Sequence, residues 1–243
     1  MALFINIARY LGSLLLLLFT GLLAGIALLP AHHLYLWVNA AFGSIWAIVS
    51  LPICYLLWGF GFCLLIVLYK RLTFYKLRPG SFHIYTYPII QWAITGYLSL
   101  FAHAVFVQFL KGTPFINWWY RGLGARIGRR VNIQTTFVSD WDLLDIGDDT
   151  TLGGESAVIA HVFEMGQIKL LPVRLGKEVT VGRASTIFPG VEVGDRAVIG
   201  ANSLVTKGKK LPPASIWAGS PAVFIRARTE KDDASDNPLD DDA

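Results

Sequence analysis

Acidic residues are absent from the first 139 positions of this chain, which carry ten lysines and arginines. All seventeen Asp and Glu residues lie in residues 140–243, together with the other eleven basic residues. The net charge of +4 therefore joins a basic half to an acidic half. Because the basic residues flank long apolar runs, they favour membrane lipid as a partner, and we expect no nucleic-acid partner.

Cysteine is scarce as well, and the overall charge content is low. Cys54 and Cys63 lie inside one apolar run, where they form neither a disulfide framework nor a metal-ligand spacing. Charged residues make up 16% of the chain and hydrophobic residues 54%, which is too apolar for one ordinary soluble domain. We therefore expect an integral membrane protein whose two thiols are small apolar side chains in lipid.

Three apolar runs predict a membrane domain over residues 1–112, with helices at about residues 8–30, 34–69 and 86–111. The first run is long enough to span a bilayer. A cleavable signal peptide is the alternative, but the run lacks a clear small-x-small cleavage site, so a retained anchor is favoured. The second run would be roughly 54 Å long as one helix, so we expect it to tilt or to break near Ser50–Pro52.

The basic flanks of these runs orient the chain. Lys70, Arg71, Lys76 and Arg78 follow the second run, which places this loop in the cytoplasm by the positive-inside rule. The third run is also followed by basic residues, so we expect it to re-enter or to lie in the interface, with a break at Gly96. Residues 113–126 would form an interfacial linker. The expected location is a bacterial inner membrane, with the C-terminal domain facing the cytoplasm.

A six-residue rhythm runs through the second half of the chain. Aliphatic residues recur at Leu175, Val181, Ile187, Val193, Ile199, Val205 and Leu211, and glycine follows four of them. Each hexad would form a short strand and a turn, so that three of them close a triangular coil of eighteen residues. The same rhythm appears upstream from Ile127, which predicts roughly five stacked coils over residues 127–211, in a domain that spans residues 127–226. The acidic tail at 227–243 is expected to be disordered.

These hexads resemble the hexapeptide repeats of the left-handed parallel β-helix, and the left hand follows from the resemblance alone. The predicted fold class is therefore mixed: transmembrane α-helices followed by a left-handed β-helix. Residues 172–226, with "IFPGVEVG", "VIGANSLVTKG" and "AGSPA", resemble the closing segment of hexapeptide acyltransferases. The resemblance implies transfer of an acyl group, by expectation acetyl, from coenzyme A to an amine or hydroxyl. It also implies a homotrimer and no permanently bound cofactor.

A second resemblance reaches further towards the N-terminus. "LRPGSFHIYTYPIIQW", "GTPFINWWYRGLGARIG", "DWDLLDIGDD" and "HVFEMGQIK" are similar to the membrane-embedded C-terminal domains of poly-lysine-synthetase-type peptide synthetases. Those domains join an aminoacyl thioester on a carrier protein to an amine. An aminoacyl or peptidyl transferase that works with a carrier protein or a peptide synthetase is therefore the runner-up. A non-catalytic membrane scaffold is the alternative from another class.

The rhythm stops between Val158 and Leu175, which are 17 residues apart, one short of a full coil. The interruption carries His161, and the resemblance implies that a histidine in such a loop removes the acceptor's proton. A histidine ring accepts protons near neutral pH, and general base catalysis contributes about 10²–10⁴-fold. A carboxylate would orient the ring. We rank Glu164 first because it shares the loop, ahead of Asp145 and Asp142.

Two further sets of residues are candidates for substrate binding. The hexad rhythm has a second irregularity between Ile133 and Ile146, which are one residue further apart than two hexads. An amine or sugar acceptor would face this irregularity, although a solvated coil edge is an equal alternative. The candidate residues are Asp140, Trp141, Asp142 and Asp145. The donor's phosphates would bind cationic side chains of the last coils, and the candidates are Arg183, Lys207, Lys209 and Arg226. Its pantetheine arm would lie along small residues, and the candidates are Gly182, Ala184, Ala201 and Ala218.

No catalytic metal is expected. The prism also resembles gamma-class carbonic anhydrases, which hold zinc with three histidines. His161 is the only histidine on the repeats, so one chain or a trimer of it cannot assemble that set of ligands.

Overall fold

The computed structural model describes the backbone of residues 2–83, 85–229 and 232, and side chains from Tyr10 onward. The chain folds into two compact units. One comprises the residues up to 75 and residues 91–107, and the other comprises residues 76–90 and the residues from 108 on. Of the predicted acidic tail at 227–243, only residues 227–229 and 232 are described, and Ala227 is the last residue of a strand.

The first unit is helical, and its helix boundaries differ from the predicted ones. Helix α1 (Ala2–Phe42) continues through Pro30, so the predicted end at residue 30 was wrong; apolar helices tolerate an internal proline when neighbouring groups satisfy the freed carbonyl. Gly43 (φ 88°) separates α1 from α2 (Ser44–Val49). Helix α3 (Leu51–Leu72) then begins with a proline in its first turn, where no N–H is needed. The predicted break near Ser50–Pro52 is therefore confirmed.

Helices α1 and α3 pack against each other through side chain to backbone contacts. The Trp58 indole donates to the Ala24 carbonyl at 3.0 Å, and the Cys54 thiol donates to Ala31 at 3.4 Å. Both cysteines are buried and free, so the prediction that the two thiols lie in lipid was wrong. Among the described residues, Tyr10–Phe42 and Leu51–Leu72 have mean hydropathies of 2.4 and 2.3 and are long enough to cross a membrane.

The third apolar run forms one helix, α4 (Tyr87–Val105), followed by a 3-10 turn at Val107–Leu110. The helix passes through Gly96, so the predicted break there was wrong. Helix α5 (Pro114–Gly122) occupies the predicted linker. In the second unit, Trp119 and Tyr120 of this helix are buried, and Asn117 Nδ2 donates to the Val131 carbonyl at 2.7 Å. The linker is thus packed against the start of the repeat domain.

The second unit is a prism of short strands. In chain order the strands are β1 (Gly80–His83), β2 (Arg126–Ile127), β3 (Asn132–Ile133), β4 (Leu144–Ile146), β5 (Thr151–Leu152), β6 (Ala157–Val158), β7 (His161–Glu164), β8 (Gln167–Leu170), β9 (Val173–Leu175), β10 (Thr180–Val181), β11 (Thr186–Ile187), β12 (Glu192–Val193), β13 (Val198–Ile199), β14 (Leu204–Val205), β15 (Lys210–Leu211), β16 (Ser215–Ala218) and β17 (Val223–Ala227).

Three ladders form the sides of the prism, and their strands pair in parallel except at the last one. Their orders are β2-β4-β9-β12-β15, β3-β5-β10-β13-β16-β17 and β6-β11-β14. Thr180 pairs with Val198, and Thr186 pairs with Leu204. Each partner lies 18 residues further on, so the predicted coil length is confirmed. The layout is compatible with a left-handed β-helix. Strand β17 pairs antiparallel with β16 and closes the last coil.

The hexad glycines serve the stacking of the coils. A Cβ on Gly182 would lie 2.4 Å from the Ala201 backbone nitrogen in the next coil, a distance that real Cβ contacts do not reach. The left-handed corner conformation falls instead on residues such as Ala184 (φ 55°) and Asn202 (φ 55°). The clash that glycine avoids at this position is therefore with the neighbouring coil rather than within the turn.

Candidate functional site

The interruption that carries His161 is a β-hairpin inserted at one corner of the prism. Strands β7 and β8 pair antiparallel, and both turn residues, Met165 and Gly166, have positive φ (50° and 73°), as a tight two-residue hairpin turn requires. Strand β1 pairs with the outer edge of β8. Val158 and Leu175 lie on successive sides, so 17 residues replace a step of six. The 17 residues therefore do not form an additional coil; the insert lengthens a single corner.

A buried carboxylate orients the histidine of this insert. Asp140 Oδ2 lies 2.8 Å from His161 Nδ1. The same oxygen accepts the Ala160 N–H at 2.8 Å and the Ser139 hydroxyl at 3.0 Å. Asp140 is fully buried, whereas the His161 side chain is 23% exposed. Because a carboxylate accepts, Nδ1 carries the proton of this bond, which leaves Nε2 as the nitrogen that can take a proton from a substrate.

The stacking of the coils brings these two residues together. Val138 pairs in parallel with Val158, so the corner after Val138 lies against the corner after Val158. Asp140 adopts a left-handed conformation (φ 59°, ψ 42°) and starts a 3-10 turn at Trp141–Leu143. The Trp141 indole donates to the Val138 carbonyl at 2.9 Å and fixes that turn. The two irregularities of the hexad rhythm, after Val138 and after Val158, therefore lie at the same corner of successive coils and form one site.

Glu164 was ranked first as the partner of His161, and this prediction was wrong. Its carboxylate instead accepts Lys169 Nζ at 2.7 Å and also Lys207 Nζ. These two hydrogen bonds lower the pKa of Glu164 to about 2. The side chain points to the other face of the hairpin from His161, since strand residues alternate. Glu164 therefore ties the hairpin to the corner of a later coil, where Lys207 lies.

The four predicted acceptor residues separate into two pairs. Asp140 is fully buried and Trp141 is 4% exposed, so neither faces an acceptor, and that part of the prediction was wrong. Asp142 accepts the Leu77 N–H at 3.1 Å, and Asp145 pairs with Arg126 at 3.3 Å. Both of these line an open cleft of about 350 Å³.

The predicted donor residues do not form one patch. Gly182, Arg183, Ala184, Ala201 and Ala218 lie after or within the second ladder, at one corner of the prism. Lys207 and Lys209 follow β14, at the corner that also carries the hairpin. The backbone N–H groups of Gly182 and Ala184 already donate to the carbonyls of Ile199 and Gly154. They are therefore not available to donate to the oxyanion that forms when an acyl thioester is attacked.

All four predicted donor cations have partners within the chain. Lys207 bonds Glu164, and Lys209 lies 4.6 Å from the centre of the Trp217 ring. Arg226 forms two hydrogen bonds with Asp232, at 2.6 and 2.8 Å, which raise the pKa of its guanidinium. Arg183, paired with Glu155 at 2.8 Å, is 72% exposed and lies beside the small residues.

Comparisons with known proteins match the repeat domain and much of the rest of the chain. The family description "Hexapeptide repeat of succinyl-transferase" matches residues 172–207. A delta-poly-L-ornithine synthetase of Acinetobacter baumannii is 34% identical over 179 residues, which are 72% of this chain and 13% of that protein. A putative acetyltransferase, YvoF of Bacillus subtilis, is 29% identical over 55% of this chain and 81% of its own length.

Solved structures include a galactoside acetyltransferase in complex with coenzyme A. It is 30% identical and has a TM-score of 0.42, over 46% of this chain and 59% of that chain. The present chain thus spans about an eighth of the synthetase that it resembles and most of the smaller relative.

Proposed function

The chain belongs to the hexapeptide-repeat acyltransferase family, and from that premise we propose that it is a membrane-anchored enzyme with His161 as general base. It would move an acyl group, in the first instance acetyl, from a coenzyme A thioester to an amine or hydroxyl. The observation that carries this proposal is the His161–Asp140 pair, in which a buried carboxylate orients a partly exposed ring.

The reaction follows from the orientation of the ring. Nε2 takes the proton of the acceptor's amine or hydroxyl while that atom attacks the thioester carbonyl. The buried Asp140 carboxylate stabilises the imidazolium that forms. The tetrahedral intermediate then expels the coenzyme A thiolate, and the imidazolium returns the proton to sulfur. One ester or amide bond forms, one thioester bond breaks, and the histidine is regenerated.

The donor would lie along the corner that carries Gly182, Ala184, Ala201 and Ala218, where small side chains leave the wall of the prism open. Arg183 is the exposed cation at this corner and would meet a phosphate of coenzyme A. The proposed assembly is a left-handed prism that forms a homotrimer with sites between subunits. Light scattering of the detergent-solubilised protein tests this: a monomer at concentrations where the enzyme turns over would contradict it.

The general-base role is tested by His161→Ala. We expect turnover to fall by about 10²-fold or more, measured as coenzyme A thiol released from acetyl-coenzyme A with a panel of amines and hydroxyl compounds. His33→Ala, in α1, is the matched control and should keep its turnover. If His161→Ala retains its turnover while its melting temperature is unchanged, the assignment is wrong.

A second candidate is an aminoacyl or peptidyl transferase that takes its acyl group from a carrier protein. The identity of 34% with a delta-poly-L-ornithine synthetase, over 72% of this chain, favours it. Coenzyme A discriminates the two: it should raise the melting temperature of a coenzyme A-dependent enzyme and leave that of a carrier-dependent enzyme unchanged. A non-catalytic scaffold would bind neither thioester and would be indifferent to His161→Ala.

A further inference from the structure

The cleft beside Asp142 carries more positive than negative charge. Ten residues line it. The basic residues among them are Lys76, Arg78, Arg126 and Arg174, and the acidic residues are Asp142 and Asp145. All of these residues belong to the second compact unit. At about 350 Å³, the cleft is large enough for a phosphate group with a substituent.

The two carboxylates of the cleft are already engaged. Asp142 accepts the backbone N–H of Leu77 at 3.1 Å. Asp145 pairs with Arg126 at 3.3 Å, and it lies in register between Arg126 and Arg174 on the first ladder. Arg174 in turn reaches Glu192 at 3.3 Å. An amine acceptor would therefore compete with fixed partners for both carboxylates.

Lys76 and Arg78 supply the unbalanced charge. Within residues 2–83, 85–229 and 232, neither side chain has an ion pair or hydrogen bond. Both are exposed, while Leu77 between them is 3% exposed. The buried Leu77 side chain and the hydrogen bond from its backbone N–H to Asp142 hold this segment. Lys76 and Arg78, on either side of Leu77, both line the cleft.

From this charge balance and this fixed backbone we propose that the cleft binds a phosphate group. Cationic side chains on a held backbone form charge-assisted hydrogen bonds with phosphate oxygens, and arginine does so with two donors at once. In the sequence, Lys76 follows Leu72, the end of the candidate span α3, by four residues. An anionic phospholipid headgroup and the phosphate of a soluble ligand are the two sources of this chemistry. The proposal is independent of the proposed acyl transfer.

Binding is tested on the full-length protein in a neutral detergent. Binding of inorganic phosphate is measured by titration calorimetry. In a second measurement, phosphatidylglycerol or phosphatidylcholine is added to the micelles, and the lipid that the protein retains is counted by native mass spectrometry. The test variant is Lys76→Gln with Arg78→Gln. The matched control is Lys177→Gln with Arg129→Gln, which removes one exposed lysine and one exposed arginine at another corner of the prism. Melting temperatures establish that both variants fold.

We expect the test variant to bind inorganic phosphate about tenfold more weakly than the control, because two charge-assisted bonds are lost. If the protein retains phosphatidylglycerol but not phosphatidylcholine, and the test variant loses this retention, the ligand is a lipid headgroup. If the protein binds inorganic phosphate but retains neither lipid, the ligand is soluble. Equal binding by test and control variants would overturn the proposal. So would loss of coenzyme A binding in the test variant, since the cleft would then belong to the donor. Either failure leaves the turnover test of His161 unaffected.

Discussion

Asp140 combines burial, a left-handed backbone and a carboxylate oxygen that accepts several hydrogen bonds. It is fully buried, its backbone is left-handed, and one of its oxygens accepts three hydrogen bonds. Burying a carboxylate is costly unless its oxygens are satisfied. The Ala160 N–H and the Ser139 hydroxyl offset that cost, so the charge that faces His161 is held in place rather than left to rotate. The residue is therefore built to orient the ring.

Replacing Asp140 by Asn separates this role from that of Glu164. Asn keeps the shape and can still accept from Ala160, but it removes the charge that, in the proposed mechanism, stabilises the imidazolium. We expect Asp140→Asn to lower kcat by about 10-fold to 10³-fold with a smaller change in KM, measured by thiol release. Glu164→Gln serves as the control and should lower kcat less than about threefold. A kcat that depends on Glu164 more than on Asp140 would restore the partner predicted from the sequence.

His161 could be predicted from the sequence because it stands where the hexads stop. Its partner could not be predicted from nearness in the chain, since Asp140 is 21 residues away. The signal was present in the repeat count: both irregularities follow an aliphatic position of the same side, one coil apart. The stacking of coils, rather than nearness in the sequence, decides which carboxylate reaches the His161 ring. The pairing of Glu164 with Lys207 also depends on stacking, so it could not be predicted from neighbouring residues.

At the scale of elements, the glycines of the hexads decide whether two coils can stack. The Gly182 Cβ position lies 2.4 Å from the Ala201 nitrogen, whereas nothing approaches the Gly154 Cβ position closer than 4.0 Å. We expect Gly182→Ala to cost about 1–3 kcal/mol through overpacking and to lower the melting temperature by several degrees. Gly154→Ala is the matched control and should change it little. Equal effects of the two substitutions would show that stacking distance does not set the requirement.

The hairpin should loosen in acid through Glu164. The folded-state pKa is lowered from the ordinary 4.5 to about 2, so the bonds to Lys169 and Lys207 stabilise the hairpin fully above pH 4.5. This contribution is lost as the pH falls from 4.5 through about 2. Hydrogen exchange of residues 161–170 should therefore rise in Glu164→Gln at neutral pH, and this difference from the wild type should shrink below pH 4.5.

The control for the hairpin experiment is Glu192→Gln. Glu192 also pairs with two cations, Arg174 and Lys210, but it lies on the first ladder. Its substitution should leave the exchange of residues 161–170 unchanged. If both variants accelerate exchange in the hairpin equally, the effect is general destabilisation rather than loss of a local clamp.

Periodicity predicted the elements better than their ends. The coil length and the strand positions follow from hexads whose aliphatic side chains are all inward. Helix ends depended on glycine and proline, whose effects vary with context. Pro30 and Gly96 lie inside continuous helices, whereas Gly43 and Pro52 mark boundaries. A local residue preference of about 1–3 kcal/mol is overridden when the surrounding helix is held by its neighbours, and no sequence count reveals those neighbours.

For the whole molecule, the two candidate spans predict how the protein behaves in membranes. Helices Tyr10–Phe42 and Leu51–Leu72 expose leucines such as Leu15, Leu18 and Leu22 along their length. We expect alkaline carbonate to leave the protein in the membrane fraction and detergent to release it. A reporter fused after residue 112 should read as cytoplasmic. Release by carbonate, or a periplasmic reporter, would contradict the proposed anchor and its orientation.

The outer strand of the hairpin sheet has a consequence for the order in which the molecule is made. Strand β1 pairs Gly80 with Leu170 and His83 with Gln167, so its partners lie 90 and 84 residues further along the chain. During synthesis, β1 is complete long before β8 exists, and distant pairings of this kind close slowly. The sheet around His161 is therefore finished only after residue 170 has been translated, so a nascent chain stalled before that residue would hold helices and early coils but not the hairpin that carries His161.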